Sequence, residues 1–186
     1  MSGREYKLIF TGPMGAGKTT AINAISQIPT VKTEVVNTDK VSHSKEETTV
    51  AMDYGEVKLP NGDRLRLYGT PGQVRFRFMW DILAKGALGV IVLLDNSATS
   101  SIDDMQDFLG AFEELVKTDR VIVGVGRMET HPTPTINEYC QRVGEAQIDV
   151  PIFSVDVRRS DDVLLMLDVL MHRIEAREVL EQLEAV

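Results

Sequence analysis

Apolar and polar residues follow one another along the chain with the periods of strands and helices in turn. Tyr6 to Phe10 is a short apolar run that predicts a strand, and AINAISQI after it has helical spacing. Two later runs, GVIVLLD and RVIVGVG, are almost wholly apolar, as is typical of strands buried on both faces of a sheet. Helical spacing returns after each of them. The pattern therefore predicts an α/β chain with a mostly parallel sheet.

A hairpin interrupts this alternation early in the chain. The runs TVAMDYGEVKL and RLRLYG flank Pro60-Asn61-Gly62-Asp63, and Asn-Gly between two alternating runs is a strong hairpin signal. The polar stretch before it, from about Thr30 to Lys45, predicts an exposed loop. We expect a three-layer α/β fold whose sheet has about six strands, mostly parallel, with one antiparallel hairpin.

Composition narrows the class of protein. The length of 186 residues fits one globular domain over 1–186. The formal net charge of −8 repels nucleic acid and anionic membranes, so we expect neither as a partner. Cys140 is the single cysteine, which excludes an intrachain disulfide and fits a reducing compartment. With no signal-peptide run, lipidation motif or membrane-length segment in the sequence, we expect a cytoplasmic protein without a direct membrane anchor.

The stretch GPMGAGKT, from Gly12 to Thr19, carries the clearest chemistry. It satisfies G-x-x-x-x-G-K-[ST] and lies between a predicted strand and a predicted helix. Glycines let backbone N–H groups turn inward around phosphates, and the helix N-terminus adds partial positive charge. Lys18 reaches the terminal phosphates, and the hydroxyl of Thr19 is a ligand for Mg²⁺. The sequence therefore predicts a loop that binds a nucleotide polyphosphate, a P-loop.

Further stretches follow the P-loop in a familiar order. Thr49 to Tyr54 begins the hairpin, Gly69 to Gln73 ends it, and Gly126 to Glu129 ends the RVIVGVG run. From Lys7 to about Ile174 the chain resembles the Ras-like small GTPases, and Tyr68 to Gln73 is similar to the bacterial MglA-like branch. The resemblance implies the three-layer fold of P-loop NTPases of the small G-protein type.

The resemblance also implies a role for individual residues. Thr49 is similar to the first-switch threonine that ligates Mg²⁺, although Thr48 leaves its register open by one residue. Gly72 is similar to the second-switch glycine, and Gln73 to the glutamine that orients the attacking water. The implied catalytic set is Gln73, Lys18 and Thr49, and the implied metal ligands are Thr19 and Thr49. The implied nucleotide-binding set is Gly12, Pro13, Met14, Gly15, Ala16, Gly17, Lys18, Thr19, Thr20, Gly72, Arg127, Glu129 and Val157.

The sequence departs from the family pattern where Mg²⁺ is held. Gly69 stands where the family has a second-switch aspartate. Asp39, Asp53 and Asp95 are substitutes by sequence, and Asp95 is favoured because it ends a strand. We expect weaker dependence on Mg²⁺, which nucleotide release on adding a chelator would test.

The base-reading stretch departs as well. The family has Asn-Lys-x-Asp where this chain has Gly126 to Glu129. Glu129 keeps a carboxylate that accepts from guanine N1–H and the 2-amino group, whereas adenine presents an acceptor there. The stem of Arg127 packs over the base in this reading, and the N–H of Val157 reaches guanine O6. Met14 replaces a P-loop glycine and crowds Gln73, so we predict guanine preference with slow unaided hydrolysis.

The leading hypothesis is a small GTP-binding protein that binds GTP or GDP with Mg²⁺ and acts as a molecular switch. The resemblance implies a protein effector or activator, of Roadblock type, at the switch loops. One alternative is a nucleotide-binding interaction module without turnover, and another is a small-molecule kinase, which would need an arginine-rich lid. Trp80 is expected near the second switch, where an exposed ring would mark an interface.

Overall fold

A seven-stranded sheet with helices on both faces forms the core of the computed structural model, which describes residues 3–36, 49–73 and 76–184. The strand order is β2-β3-β4-β1-β5-β6-β7. The strands are β1 (Glu5–Thr11), β2 (Val31–Val36), β3 (Thr49–Lys58), β4 (Arg64–Gly69), β5 (Gly89–Asp95), β6 (Val121–Gly126) and β7 (Ile152–Ser154). The helices are α1 (Lys18–Ile25), α2 (Arg77–Ala84), α3 (Ser101–Ala111), α4 (Glu113–Lys117), α5 (Ile136–Glu145) and α6 (Ser160–Glu184).

The strand directions confirm the predicted fold class. β1 lies parallel to β4 and β5, and β6 lies parallel to β5 and β7. β3 runs antiparallel to β4, as the Asn-Gly signal predicts. The result is a mostly parallel α/β sheet of the P-loop NTPase type, with its ligand-binding edge at the carboxyl ends of the parallel strands.

β2 falls in a stretch for which the sequence predicts a loop. It pairs antiparallel with β3 along its whole length. The prediction of an exposed loop from Thr30 is therefore wrong for Val31–Val36, while residues 37–45 lie outside the described part of the chain. β2 is an edge strand held by backbone hydrogen bonds to one neighbour, so it needs no apolar run of its own. This strand brings the sheet to seven.

Two hydrophobic cores cover the two faces of the sheet. Alternate side chains of β1 point to opposite faces, so Leu8 and Phe10 enter one core and Ile9 enters the other. The first core is closed by α1 and α6, and the second by α2, α3 and α5. Layers of helix, sheet and helix result. They leave the loops at the strand ends as the part of the fold available to a ligand.

The longest helix, α6, combines a half with buried side chains and a solvent-exposed C-terminal extension. Its 25 residues begin with Asp161 and Asp162 in the first turn, where carboxylates interact favourably with the helix dipole. Val163, Leu167, Leu170 and Ile174 are buried, as their spacing predicts. Within residues 3–36, 49–73 and 76–184, no helix has both the length and the apolar character to cross a membrane.

The turn between β3 and β4 sets the register of the hairpin. Gly62 has a φ of 90°, and its N–H donates to the carbonyl of Leu59 at 3.0 Å. The N–H of Leu59 in turn donates to the carbonyl of Asp63 at 2.8 Å. The loop between these two residues is 60–62, one residue longer than the two-residue loop of an Asn-Gly turn. In this register Asp53 lies directly opposite Gly69.

Candidate functional site

Part of the P-loop and the predicted base-reading segments line a cavity of about 470 Å³ at one edge of the sheet, whereas Lys18, Thr19, Gly72 and Gln73 do not line it. A volume of this size is in the range of small-molecule sites, and parallel α/β sheets bind ligands at this edge. Predicted residues that line the cavity are Gly15, Ala16, Gly17, Thr20, Arg127, Glu129 and Val157. The cavity therefore joins one side of the P-loop to the ends of β6 and β7.

Glycines give the P-loop its shape. Gly12, Gly15 and Gly17 have φ angles of 136°, 86° and 90°, which other residues rarely adopt. A Cβ on Gly12 would lie 1.9 Å from the carbonyl oxygen of Leu93, so the loop also passes close against β5. α1 begins directly after the loop at Lys18. Its first backbone N–H groups lack intrahelical partners and are suited to phosphate oxygens.

Lys18 holds its ammonium group inside the P-loop. Nζ donates to the carbonyl of Gly12 at 2.8 Å and to that of Pro13 at 2.7 Å. Burial lowers the pKa of Lys18 to about 8, although the negative charge of Asp53 acts in the opposite direction. A phosphate group would offer this partly desolvated cation the counter-charge that its surroundings supply only in part.

The loop after β4 packs directly on the P-loop. Thr70 is buried, and its hydroxyl lies 2.8 Å from the hydroxyl of Thr11 at the end of β1. A Cβ on Gly72 would lie 2.5 Å from the nitrogen of Met14 and 2.9 Å from Nζ of Lys18. Only glycine allows this approach. The structure thus brings the predicted second-switch glycine against Met14 and the ammonium group of Lys18.

Trp80 reports on the same loop. Its indole Nε1–H donates to the carbonyl of Pro71 at 3.3 Å, and its ring lies 4.5 Å from that of Phe108 between centroids. Trp80 therefore lies next to the loop that contains Gly72, as expected, while the switch role of this loop stays a prediction. The ring is buried, however, so it does not mark an exposed interface. Because Trp80 is the single tryptophan of the sequence, we expect its emission to report any movement of this loop.

A carboxylate lies beside the hydroxyl of Thr19. The Thr19 hydroxyl donates to Oδ2 of Asp53 at 2.5 Å. A Cβ built on Gly69 would lie 3.2 Å from Cβ of Asp53 and 3.3 Å from its Oδ2. The side chain of Asp53 on β3 therefore occupies the space that a side chain at position 69 would need. A hydroxyl and a carboxylate oxygen together are the hard ligands that Mg²⁺ prefers.

Asp95, which the sequence favoured for this place, accepts hydrogen bonds from other residues. Its Oδ2 accepts from Arg127, and its Oδ1 accepts from the hydroxyl of Ser97 at 2.6 Å. The geometry favours Asp53 over Asp95 for this place, because the hairpin brings Asp53 to the Thr19 hydroxyl. Asp39 lies outside the described residues. No group of three or more His, Cys, Asp or Glu side chains that could hold a metal occurs in the described chain, so Mg²⁺ here would also need phosphate oxygens and water.

Arg127 lies at the other end of the P-loop. Its φ of 62° is in the left-handed region, and its guanidinium donates to Asp95, to the Ser97 hydroxyl at 3.1 Å and to the Gly15 carbonyl at 3.5 Å. Val157 packs on the same loop, because a Cβ on Gly17 would lie 2.7 Å from Cγ2 of Val157. The predicted base-reading segments are therefore both in contact with the P-loop.

A buried polar network anchors the segment that carries Arg127 and Glu129. The amide of Asn96 donates to the carbonyls of His131 at 2.6 Å and Pro134 at 2.9 Å. The hydroxyl of Tyr139 donates to the Asn96 side-chain oxygen at 2.6 Å and lies 2.5 Å from the hydroxyl of Ser101. Asn96, Tyr139 and Ser101 are all buried. Such satisfied networks fix one conformation, and no local sequence signal singles these residues out.

A family described as "Conserved hypothetical ATP binding protein" matches residues 10–129. The chain belongs to this family. The matched region begins within β1 and ends at Glu129, so it contains the P-loop, the hairpin and the first base-reading segment.

Several curated proteins are similar to parts of this chain. An uncharacterized protein, MJ1339, of Methanocaldococcus jannaschii is 31% identical over 114 residues, which is 61% of this chain and 60% of that protein. Ras-related protein Rab-8B of Homo sapiens is 26% identical over 121 residues, 64% of this chain and 54% of that protein. Ras-related protein RabC of Dictyostelium discoideum is 24% identical over 179 residues, 92% and 84% of the two chains. Family and relatives together support a nucleotide-binding protein of the Ras-like GTPase superfamily.

Other predicted residues are placed less completely. Thr49 is the first residue of β3, but its side chain lies outside the description. Gln73 is exposed directly after Gly72. The Met14 side chain is 75% exposed and projects from the P-loop into solvent. The predicted roles of these residues in hydrolysis stay predictions.

Proposed function

We propose that residues 1–186 form a single G domain of the MglA-like branch, a small GTP-binding protein that cycles between GTP and GDP. The observation that carries this proposal is the meeting of Lys18, Gly72 and Asp53 at one end of the P-loop. An ammonium, a backbone that approaches it closely and a carboxylate next to the Thr19 hydroxyl are what a magnesium-bound triphosphate requires. The branch assignment rests on the resemblance of Tyr68 to Gln73.

Each of these groups has a role in this proposal. The P-loop N–H groups and Lys18 bind the phosphates, and Gln73 orients the water that attacks the γ-phosphate. Thr19 and Asp53 hold Mg²⁺, with Thr49 as a further ligand in the triphosphate state. When bound, the ion neutralises charge on the phosphate oxygens. Under this proposal Asp53 supplies the carboxylate that position 69 lacks, so we expect stronger dependence on Mg²⁺ than Gly69 by itself implies.

Close packing of Gly72 supports a switch. The loop that contains Gly72 lies against Met14 and Nζ of Lys18, next to the place proposed for a third phosphate. We expect a phosphate bound next to Lys18 to shift this loop, to which Trp80 is joined by its bond to Pro71. Binding of GTP and GDP thus differs in the position of one loop, which is the kind of change that a switch protein uses.

Guanine is the base that the cavity suits under this proposal. Glu129 is exposed on the cavity wall, where its carboxylate accepts the two N–H donors of guanine. The N–H of Val157 is the donor proposed for guanine O6. ATP, which the family description names, would set an acceptor against this carboxylate. The loop at Gly72 is the surface on which a cytoplasmic protein effector or activator, of Roadblock type, would read the bound nucleotide.

Titration with nucleotides tests this proposal directly. Calorimetry with GTP, GDP and ATP, each with and without Mg²⁺, should give at least about tenfold tighter binding of GTP and GDP than of ATP, because a charged hydrogen bond contributes roughly 1.5–3 kcal/mol. GTP with Mg²⁺ should change Trp80 emission more than GDP does. Tighter binding of ATP would contradict the base assignment, and absence of binding by any purine nucleotide would contradict the proposal as a whole.

A binding module without turnover remains the second candidate, favoured by the exposed positions of Met14 and Gln73. Single-turnover phosphate release separates the two. We expect a rate on the order of 10⁻⁴ to 10⁻² s⁻¹ for the isolated protein, as is typical of small GTPases without an activator. Gln73→Leu should lower this rate at least about tenfold, and the control Gln141→Leu on α5 should not. Equal rates in wild type and Gln73→Leu would favour the module.

A further inference from the structure

The ends of β5 and β6 are joined to the P-loop by a single cation. Asp95 and Gly126 are paired neighbours at the ends of these strands. Arg127 follows Gly126, and its guanidinium donates to Asp95 with Nη1 and to the Gly15 carbonyl with Nη2, at 3.5 Å for the second bond. Asp95, Arg127 and Gly15 all line the cavity. One side chain therefore connects the base-reading segment with the loop that binds phosphate.

The Asp95 carboxylate is held rigidly for this contact. Its Oδ1 accepts from the backbone N–H of Ser97 at 3.0 Å and from the Ser97 hydroxyl at 2.6 Å, which leaves Oδ2 for Arg127. The Asp95 side chain is only 13% exposed, against 54% for Arg127. Burial by itself would raise the pKa of Asp95, but the bonds from Ser97 and the charge of Arg127 outweigh it and lower the pKa. The carboxylate is fixed and ionised before any ligand binds.

This contact has a structural reason. Gly126 has no side chain with which to bind neighbouring loops, and Arg127 has a φ of 62°, which is unfavourable for a residue with a Cβ. The conformation of this segment therefore has to be stabilised by contacts with residues of another loop. The pair with Asp95 supplies it, and the Ser97 hydroxyl contributes a second acceptor for the same guanidinium at 3.1 Å. Hydrogen bonds between ionised groups are stronger than hydrogen bonds between neutral groups.

We propose that Asp95 is a positioning residue for the nucleoside half of the ligand. It fixes Arg127 across the cavity mouth, so that the base-reading segment and the P-loop close on the nucleotide as one unit and the nucleotide leaves slowly. A planar guanidinium held in this way offers a face for an aromatic base. The inference rests on the proposed function. It concerns the contact of Arg127 with Gly15, not the contacts that Lys18 makes in the same loop.

A double-mutant cycle on nucleotide dissociation tests the proposal. Fluorescent GDP is chased from the wild type, Asp95→Asn, Arg127→Met and the double variant. We expect Asp95→Asn to raise the dissociation rate about tenfold, and the double variant to match Arg127→Met, because contacting residues that act through one another are non-additive. The inhibition constant of inorganic triphosphate should be the same in all four proteins, since Lys18 and the P-loop amides bind it.

Controls separate positioning from general damage. Asp104→Asn removes an equal charge from a carboxylate that accepts from Ser100 and not from Arg127, so it should release GDP at the wild-type rate. If Asp95→Asn fails to fold, Ser97→Ala removes the hydroxyl that contacts both partners and should raise the rate about threefold.

Two results would overturn the inference while leaving the proposed function standing. One is release of GDP from Asp95→Asn and from Ser97→Ala at the wild-type rate. The other is an equal effect of Asp95→Asn in the Arg127→Met background, which would mean that Asp95 does not act through Arg127. A wild-type protein that binds no nucleotide would overturn the proposed function and this inference together.

Discussion

Lys18→Met should raise the dissociation constants for GTP and GDP by about 100-fold or more. Truncating one partner of a buried charge pair costs roughly 2–5 kcal/mol, and each 1.4 kcal/mol is a factor of ten. Nζ of Lys18 is buried in the P-loop on the carbonyls of Gly12 and Pro13, close to Gly72. Calorimetry of both proteins with Mg²⁺-nucleotide measures the difference.

Protonation of Lys18 gives the same prediction a pH dependence. In the free protein, burial lowers the pKa of Lys18 to about 8, so the ammonium loses its proton as the pH rises through that value. A bound phosphate stabilises the charged form and raises the pKa. Binding above pH 8 should therefore take up a proton, and affinity should fall about tenfold between pH 7 and pH 9. Calorimetry in two buffers with different ionisation enthalpies measures the uptake.

Lys7→Met is the matched control for these measurements. Lys7 is on β1, the strand that leads into the P-loop, but its ammonium donates to the Lys85 carbonyl. It should leave nucleotide affinity and proton uptake unchanged. The affinity that remains in Lys18→Met should vary with pH only through ionisation of the nucleotide, because the titrating ammonium is absent. Wild-type affinity in Lys18→Met, with normal thermal unfolding, would refute the role of the P-loop in phosphate binding.

Asp53→Asn should remove most of the contribution of Mg²⁺ to nucleotide affinity. Asparagine keeps the shape and an acceptor for the Thr19 hydroxyl, which lies 2.5 Å from Asp53 Oδ2, but it lacks the negative charge that attracts the cation. Loss of a group that holds or orients a metal ligand typically costs about 10- to 100-fold in metal affinity. In the wild type, chelator should accelerate GDP release, whereas Asp53→Asn should already release GDP quickly and respond little to chelator.

Glu56→Gln provides the comparison. Glu56 is a carboxylate on the same strand, but its side chain accepts from the hydroxyl of Tyr54 and not from that of Thr19. It should keep the wild-type response to chelator. If Asp53→Asn and wild type respond to chelator equally, Asp53 has no part in binding Mg²⁺, and the ion would depend on Thr19 and phosphate oxygens without this carboxylate.

Features that depend on contiguous residues could be read from the sequence. The P-loop is one, because a strand, a run of glycines and a helix N-terminus in direct succession fix both its shape and its charge. The Asn-Gly hairpin and the apolar strands β5 and β6 are others, since each carries its own period. The edge strand β2 has no such period, and it exists because β3 offers it a row of backbone partners.

The carboxylate beside Thr19 shows why other features could not be predicted from the sequence. A two-residue Asn-Gly turn would place Asp53 opposite Thr70, whereas the longer loop that ends in Gly62 places it opposite Gly69. Shifting register by one residue moves side chains to other partners, so one turn residue decides which acidic group reaches Thr19. Asp95 was then free to pair with Arg127.

The sequence by itself determined the α/β order of elements and the phosphate-binding loop, because periodicity and motif chemistry act over a few neighbouring residues. Tertiary structure alone decided that Asp53 rather than Asp95 lies beside Thr19, and that Gly72 closes on Lys18. Those contacts join the start of α1 to residues on β3 and in the loop after β4. Their distances are set by strand pairing and packing, which no local pattern encodes.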